Sequence, residues 1–320
     1  MAKLDLRVRL LGKVLKNFSV ANKSRKRILA EQKITISHNP LTDWWMSGLA
    51  PDVDVREGTA DGADGRIPAR IYRPQEAEGP LPLVVFIHGG GWTFGTLNVY
   101  DGIASTIARD ANAVVVSLAY RLAPTHPWPA AAEDCYAALA DVAGRAAEWN
   151  ADGARLAVVG DSAGGNLAAV LTLMSRDRSG PAIAFQALLY PSTDLTLSSA
   201  SMEEEANAPL LTKRDMERYR SLYLPHKEDY AHPYASPLLA LDHSGLPPAL
   251  IQVAEHDPLR DDGLNYARAL RAAGVPVRIT TYVGMPHGYL GFPRLFRSAP
   301  QALAELCAEL RSRLGPAPAP

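Results

Sequence analysis

Ser162 lies in Gly160-Asp161-Ser162-Ala163-Gly164-Gly165, between a short apolar run at 156–159 and a stretch rich in small residues that reaches about Arg176. The spacing is G-x-S-x-G at the junction of an expected strand and an expected helix. A turn that sharp lifts the serine hydroxyl above the end of a sheet, where it can attack an electrophile. Glycine-rich turns also cradle phosphates, but Asn166 and Leu167 follow where a P-loop needs Lys and Ser or Thr. A second glycine run, His88-Gly89-Gly90-Gly91-Trp92, follows the apolar run 83–87. Backbone N–H groups in such a turn can face an oxyanion, and the pattern matches the HGGG element that accompanies elbow serines. Gly89 and Gly90, with Ala163 after the serine, are the expected oxyanion donors.

An attacking serine needs a base, and for this kind of turn the chain order is Ser, acid, His. Of eight histidines, His287 in Met285-Pro286-His287-Gly288 is the one that follows the last acid-bearing strand end. The acid belongs after the penultimate strand, where Asp257 stands in Ala254-Glu255-His256-Asp257-Pro258-Leu259. Glu255 is the rival, while Asp261 and Asp262 fit the positive end of the next helix. His256 is expected at the surface, because adjacent side chains rarely face one another.

These residues need a scaffold of alternating strands and helices. Strands are expected at 53–56, 66–73, 83–87, 113–118, 156–159, Phe185–Leu189, 249–253 and 277–282, with helices at 129–149, about 163–176, 259–273 and about 299–314. The continuous apolar runs predict strands buried on both faces, so one α/β domain forms around a mostly parallel sheet. Residues 192–247 hold no clear strand but a helix at 212–224. With residues 1–50 they are read as a helical cap inserted over a catalytic domain spanning 51–320.

With 320 residues, 47% hydrophobic and 21% charged, the chain can bury a large core without disulfide or metal. A formal charge of −1 offers no field for gripping nucleic acid. Apolar runs are strand-length, far below the ~20 residues of a membrane span. Cys135 and Cys307 cannot build a disulfide framework and fit buried thiols in a cytoplasmic protein. Residues 1–27 carry nine Lys or Arg against Asp5, a local +8 that leaves −9 elsewhere. Leu4, Val8, Leu11, Leu15 and Phe18 recur at helical spacing. They predict an amphipathic helix packed on the protein itself, with a membrane or partner contact as the second reading.

Five ordered motifs carry a resemblance: HGGGW at 88–92, YRLAPTHPWPA at 120–130, GDSAGGNLA at 160–168, DPLRDDG at 257–263 and HGY at 287–289. Over about residues 50–314 the chain resembles the bacterial hormone-sensitive-lipase-like α/β-hydrolases, the family IV esterases. Thr125 and Asp262 depart from it where Glu is usual. The resemblance implies an α/β-hydrolase fold with an eight-stranded, mostly parallel sheet flanked by helices and capped by helices. It implies a cofactor-free, metal-free serine carboxylesterase with Ser162, His287 and Asp257 as triad, acting on small short- to medium-chain acyl esters. Trp92, Trp44, Trp45, Tyr219 and Tyr223 are candidate pocket walls. Dimerisation through the edge of strand 277–282 is also implied. Nothing in the motifs separates ester from amide, so an amidase or arylacylamidase is the alternative. The plant gibberellin receptors resemble the same family and bind without hydrolysing, but they lack the histidine that stands here as His287.

Overall fold

The structure, a computed structural model, describes residues 8, 19–34, 36–46 and 48–315, with the backbone alone at 41 and 46. Eight strands form one sheet in the order β1-β2-β4-β3-β5-β6-β7-β8. They are β1 (Val53–Gly62), β2 (Gly65–Pro74), β3 (Leu81–Ile87), β4 (Val114–Leu118), β5 (Ala151–Asp161), β6 (Phe185–Leu189), β7 (Ala249–His256) and β8 (Val277–Pro286). The β1–β2 hairpin and the β2–β4 pair are antiparallel; every other pair is parallel. The α/β-hydrolase architecture expected from the sequence is therefore present.

The unbroken apolar runs serve two cores. Leu83, Val85 and Ile87 of β3 face one layer, with Val114, Val116 and Leu118 of β4. That layer is closed by helices at Ala130–Gly144, Ala163–Asp177 and Arg260–Ala272. Val84, Phe86 and Val115 face the other layer, closed by helices at Leu97–Ala111 and Ser298–Leu314. Successive strand side chains point to opposite faces, so a strand covered on both sides must be apolar throughout.

Over residues 19–315, in chain order, the described helices are α1 (Arg25–Glu31), α2 (Pro40–Met46), α3 (Leu97–Ala111), α4 (Ala130–Gly144), α5 (Ala163–Asp177), α6 (Ala200–Glu204), α7 (Lys213–Tyr223), α8 (Arg260–Ala272) and α9 (Ser298–Leu314). Helix α3 has no counterpart in the sequence expectation. Its apolar residues Leu97, Ile103, Ala104, Ile107, Ala108 and Ala111 recur at helical spacing and are buried against the sheet, so the signal stood in the sequence. Strand β1 runs to Gly62, six residues beyond the expected end, because its whole length pairs with β2 around the turn at Ala63 and Asp64. Between β6 and β7 lie helices and short turns without a strand, as expected. Helix α7 begins with a capping box in which Thr212 and Asp215 satisfy each other's backbone N–H.

Most of the basic N-terminal stretch lies outside the described residues. Val8 is described, and it is fully buried in the layer with Tyr72 and Val84. Among the described residues no helix is long and apolar enough to cross a membrane.

Residues 19–46 are fastened to the body at separate points. Ser19 Oγ and the Ala21 N–H both donate to Asp215 Oδ1, at 2.5 and 3.2 Å. Gln32 Nε2 donates to the carbonyls of Thr93 and Ala123, each at 2.7 Å. His38 meets Asp43 through Nδ1 (2.6 Å) and buried Asp101 through Nε2 (2.7 Å). Asp101 also receives Arg70 and the Tyr72 hydroxyl, and Arg70 pairs with Glu57. Hydrogen bonds to Asp43 and then Asp101 raise the His38 pKa. A raised folded-state pKa gives stabilisation that is full below about 6.5, the free imidazole value, and is lost as pH rises through the raised one. His38→Ala is therefore expected to lower the melting temperature at about pH 6 and much less at about pH 9. Thermal unfolding across that range checks it, and a gap that does not change with pH would contradict the charged bridge.

Candidate active site

Strand β5 runs between β3 and β6, with Gly160 opposite both Ile87 and Leu188. The two glycine-rich turns thus leave neighbouring strand ends side by side. A Cβ at Gly164 would lie 2.0 Å from the Ile87 carbonyl oxygen and 2.6 Å from that of His88. No larger residue fits there. Ser162 caps helix α5 with φ 54° and ψ −117°, a conformation strained for any side chain. Its N–H is held by the Leu189 carbonyl at 2.8 Å, and its own carbonyl accepts from Asn166 N at 3.0 Å.

Ser162 Oγ lies 2.8 Å from His287 Nε2, and His287 Nδ1 lies 2.7 Å from Asp257 Oδ2. A carboxylate only accepts, so Nδ1 carries the proton and Nε2 presents its lone pair to the serine hydroxyl. Asp257 is fully buried, and its other oxygen accepts from Leu259 N at 2.8 Å. The Tyr190 ring meets the His287 imidazole edge to face at 4.9 Å. These contacts restrict the imidazole to one orientation.

The rival acids are engaged elsewhere. Glu255 Oε2 accepts from Gly284 N on β8. Asp261 and Asp262 occupy the first turn of α8 as expected. Asp262 is also fully buried and accepts the N–H groups of Thr193 and Asp194 at 3.0 and 3.1 Å. Burial raises its pKa to about 8. His256 departs from the surface position expected of it. Strand β7 extends to His256, which is 9% exposed with Nδ1 3.1 Å from Glu205 Oε1, because the segment after α6 covers this strand end. Thr125, the other departure from the family pattern, is exposed.

The glycine turn differs from expectation at one donor. Gly89 N donates to Asp161 Oδ1 at 2.8 Å, so this N–H is committed inside the protein. Among the described residues the N–H groups of Gly90 and Gly91 donate to no partner. Ala163, the first residue of α5, has its N–H at the helix end where no intrahelical acceptor exists. Gly90 has φ 108°, and a Cβ there would meet the Phe94 carbonyl at 2.2 Å. His88 fixes the turn from behind. Its Nδ1 bonds the Gly89 carbonyl at 2.8 Å, and its ring stacks on Tyr120 at 4.4 Å. Burial lowers the His88 pKa to about 4, so it stays neutral.

Asp161 went unassigned in the sequence, although it stands between the two glycine motifs. It is buried, it also receives the Tyr100 hydroxyl at 3.3 Å, and desolvation raises its pKa to about 6. Of the candidate pocket walls, Trp92 and Tyr223 stack at 4.6 Å and are almost wholly buried. The Tyr219 ring lies over Gly91, where a Cβ would approach it to 2.2 Å. Trp44 does not join them: it is 50% exposed and packs edge-on against Trp45. Among the described residues no group of His, Cys, Asp and Glu is placed to hold a metal ion.

A strained serine at a strand-to-helix turn, backed by a histidine and a buried carboxylate, defines the hydrolase class of α/β protein. A family profile described as alpha/beta hydrolase fold matches residues 84–291. The chain is 44% identical over 271 residues to Carboxylesterase NlhH of Mycobacterium tuberculosis, covering 83% of this chain and 85% of that one. It is 46% identical over 275 residues to Carboxylic ester hydrolase LipN of the same species, covering 84% and 73%. A solved Pyrobaculum calidifontis esterase superposes with a TM-score of 0.84 at 36% identity, covering 97% of this chain and 99% of that one. The chain belongs to the α/β-hydrolases, in their bacterial hormone-sensitive-lipase-like branch, and is an enzyme of the carboxylic ester hydrolase class.

The role of Asp161 can be separated from its charge. Asp161→Ala leaves the buried Gly89 N–H without an acceptor, a cost of about 1–3 kcal/mol, and frees the glycine turn to drift. Asp161→Asn keeps an oxygen facing Gly89. The alanine variant is expected to lose both melting temperature and kcat, and the asparagine variant to recover most of each. Thermal unfolding and ester turnover decide; equal losses in both variants would contradict the hydrogen-bond role.

Proposed function

We propose that the protein hydrolyses short- to medium-chain acyl esters through an acyl-enzyme formed on Ser162. The observation that carries this reading is the unbroken hydrogen-bonded chain from Asp257 through His287 to Ser162 Oγ. His287 Nε2 takes the hydroxyl proton as Oγ attacks the ester carbonyl, and Asp257 stabilises the imidazolium that results. The imidazolium returns that proton to the leaving alcohol. Water then attacks the acyl-enzyme with His287 again as base. Because Gly89 N is engaged by Asp161, the oxyanion falls to the N–H groups of Gly90, Gly91 and Ala163. Each such donor is worth about 3 kcal/mol in the barrier. No step calls on a cofactor.

In this reading the acyl and alcohol sides of the site lie under a cap to which residues 192–247 and the described residues between 19 and 50 contribute. Trp92 stacks on Tyr223 and the Tyr219 ring lies over Gly91, so aromatic side chains flank the glycine turn where a small ester would sit. The buried, unpaired Cys135 and Cys307 fit a cytoplasmic setting. A homodimer forms through β8, whose outer edge has no partner strand among the described residues and carries Val283 at 63% exposure.

Two measurements test these statements. Ser162→Ala is expected to reduce kcat on p-nitrophenyl esters by up to about a millionfold while the protein stays folded. Wild-type turnover is expected to peak between acetate and the medium-chain esters and fall toward palmitate. Retained turnover in the variant would overturn the nucleophile, and anilides cleaved in preference to esters would overturn the substrate class. Light scattering at tens of micromolar is expected to give a dimer, and a monomer would remove the β8 contact.

A further inference from the structure

We propose that the described residues between Arg25 and Leu49 form a docking face for an anionic lipid surface. Arg25, Lys26, Leu29, Ala30 and Lys33 border an open groove of about 600 Å³ along α1. Cations stand around an apolar floor, and no acid borders it. Glu31, the acid of this helix, is already taken by Lys23 and Arg27. Lys26 and Lys33 have no ion-pair partner among the described residues and are exposed.

The same segment exposes apolar surface. Ile34 is 61% exposed, Trp44 50%, Trp45 40% and Leu49 45%, four of the seven exposed large hydrophobic side chains among the described residues. The indole rings of Trp44 and Trp45 meet edge to face at 5.1 Å and present an aromatic pair to solvent. Indole suits the boundary between water and hydrocarbon, because one edge is polar and the body is not. The lysines and arginine along α1 are drawn to anionic headgroups. A soluble polyanion would engage the cations and leave Leu29, Ile34 and the tryptophans wet. A lipid surface satisfies both sets of groups.

Charge placement orients the encounter. Between residues 25 and 49, Arg25, Lys26, Arg27 and Lys33 stand against Glu31 and Asp43, a local surplus of positive charge in a chain of formal charge −1, so an anionic surface attracts this segment first. The chemistry at Ser162 is not used in this inference.

The test uses the full chain with vesicles of phosphatidylcholine, with and without an equal share of phosphatidylglycerol. Co-sedimentation with the mixed vesicles is expected, with none on phosphatidylcholine alone. It should vanish near 1 M salt, where the Debye length is about 3 Å. Tryptophan emission should shift to the blue on binding, and Trp45→Ala should weaken binding and reduce that shift. Lys26→Glu with Lys33→Glu is expected to bind at least about tenfold more weakly, with unchanged melting temperature and soluble-ester turnover. Equal binding to both vesicle types, no binding to either, or wild-type binding by the charge-reversed variant would overturn the proposal. So would heparin binding as tight as vesicle binding with no emission shift, the mark of a general cation patch.

Discussion

The carbonyl oxygens of Ile87 and His88 occupy the space where a side chain at position 164 would have to go. That close approach is the constraint on which the site rests. It brings the turn after β3 against the turn after β5, and Gly89, where a Cβ would come within 2.6 Å of the Asp161 carboxylate, answers the same demand from the other side. With the turns in contact, the Asp161 carboxylate reaches across to Gly89 N, and the strained Ser162 backbone is held by Leu189. The strain at Ser162 persists because its neighbours fix both of its peptide groups.

The loop carrying Asp257 is held differently, by the segment between β6 and β7. Ser201 Oγ donates to the Pro258 carbonyl and accepts from Asp261 N, while Ser201 N donates to Asp261 Oδ2. Asp262 accepts Thr193 and Asp194 just after β6. Asn166, on helix α5 behind Ser162, donates to the carbonyls of Ser192 and Ala235 at 2.8 Å each. The inserted segment therefore braces both the acid loop and the serine helix. Its own helix α7 is tied through Asp215 to residues 19 and 21, so the N-terminal segment and the insert form one connected support.

What was legible in the sequence was the set of residues at strand ends. Ser162 and Asp257 follow apolar runs that belong inside a covered sheet, whereas His287 follows the half-exposed edge strand β8 and was picked out by chain order alone. Helix α3 was legible too, since its apolar residues from Leu97 to Ala111 recur at helical spacing, although no chemistry-bearing motif draws the eye to it. Two features were hidden for physical reasons. The use of Gly89 N was masked because three consecutive glycines look alike until one meets a specific acceptor. His256 is buried by Glu205, a residue 51 positions away, a tertiary contact that no local pattern encodes.

Asp161 also bears on the charge balance around His287. Desolvation opposes its ionisation, while the Gly89 N–H, the nearby imidazole and Tyr100 favour it, and the result is a pKa near 6. Above that value two carboxylates, Asp161 and Asp257, act on the histidine. In the reaction proposed above, positive charge grows on His287 as negative charge grows at the oxyanion. Asp257 meets the first change directly. Asp161 acts through its bond to Gly89 N, which fixes the turn and leaves the Gly90 and Gly91 N–H groups for the second, so the turn depends on its hydrogen bond rather than on its charge.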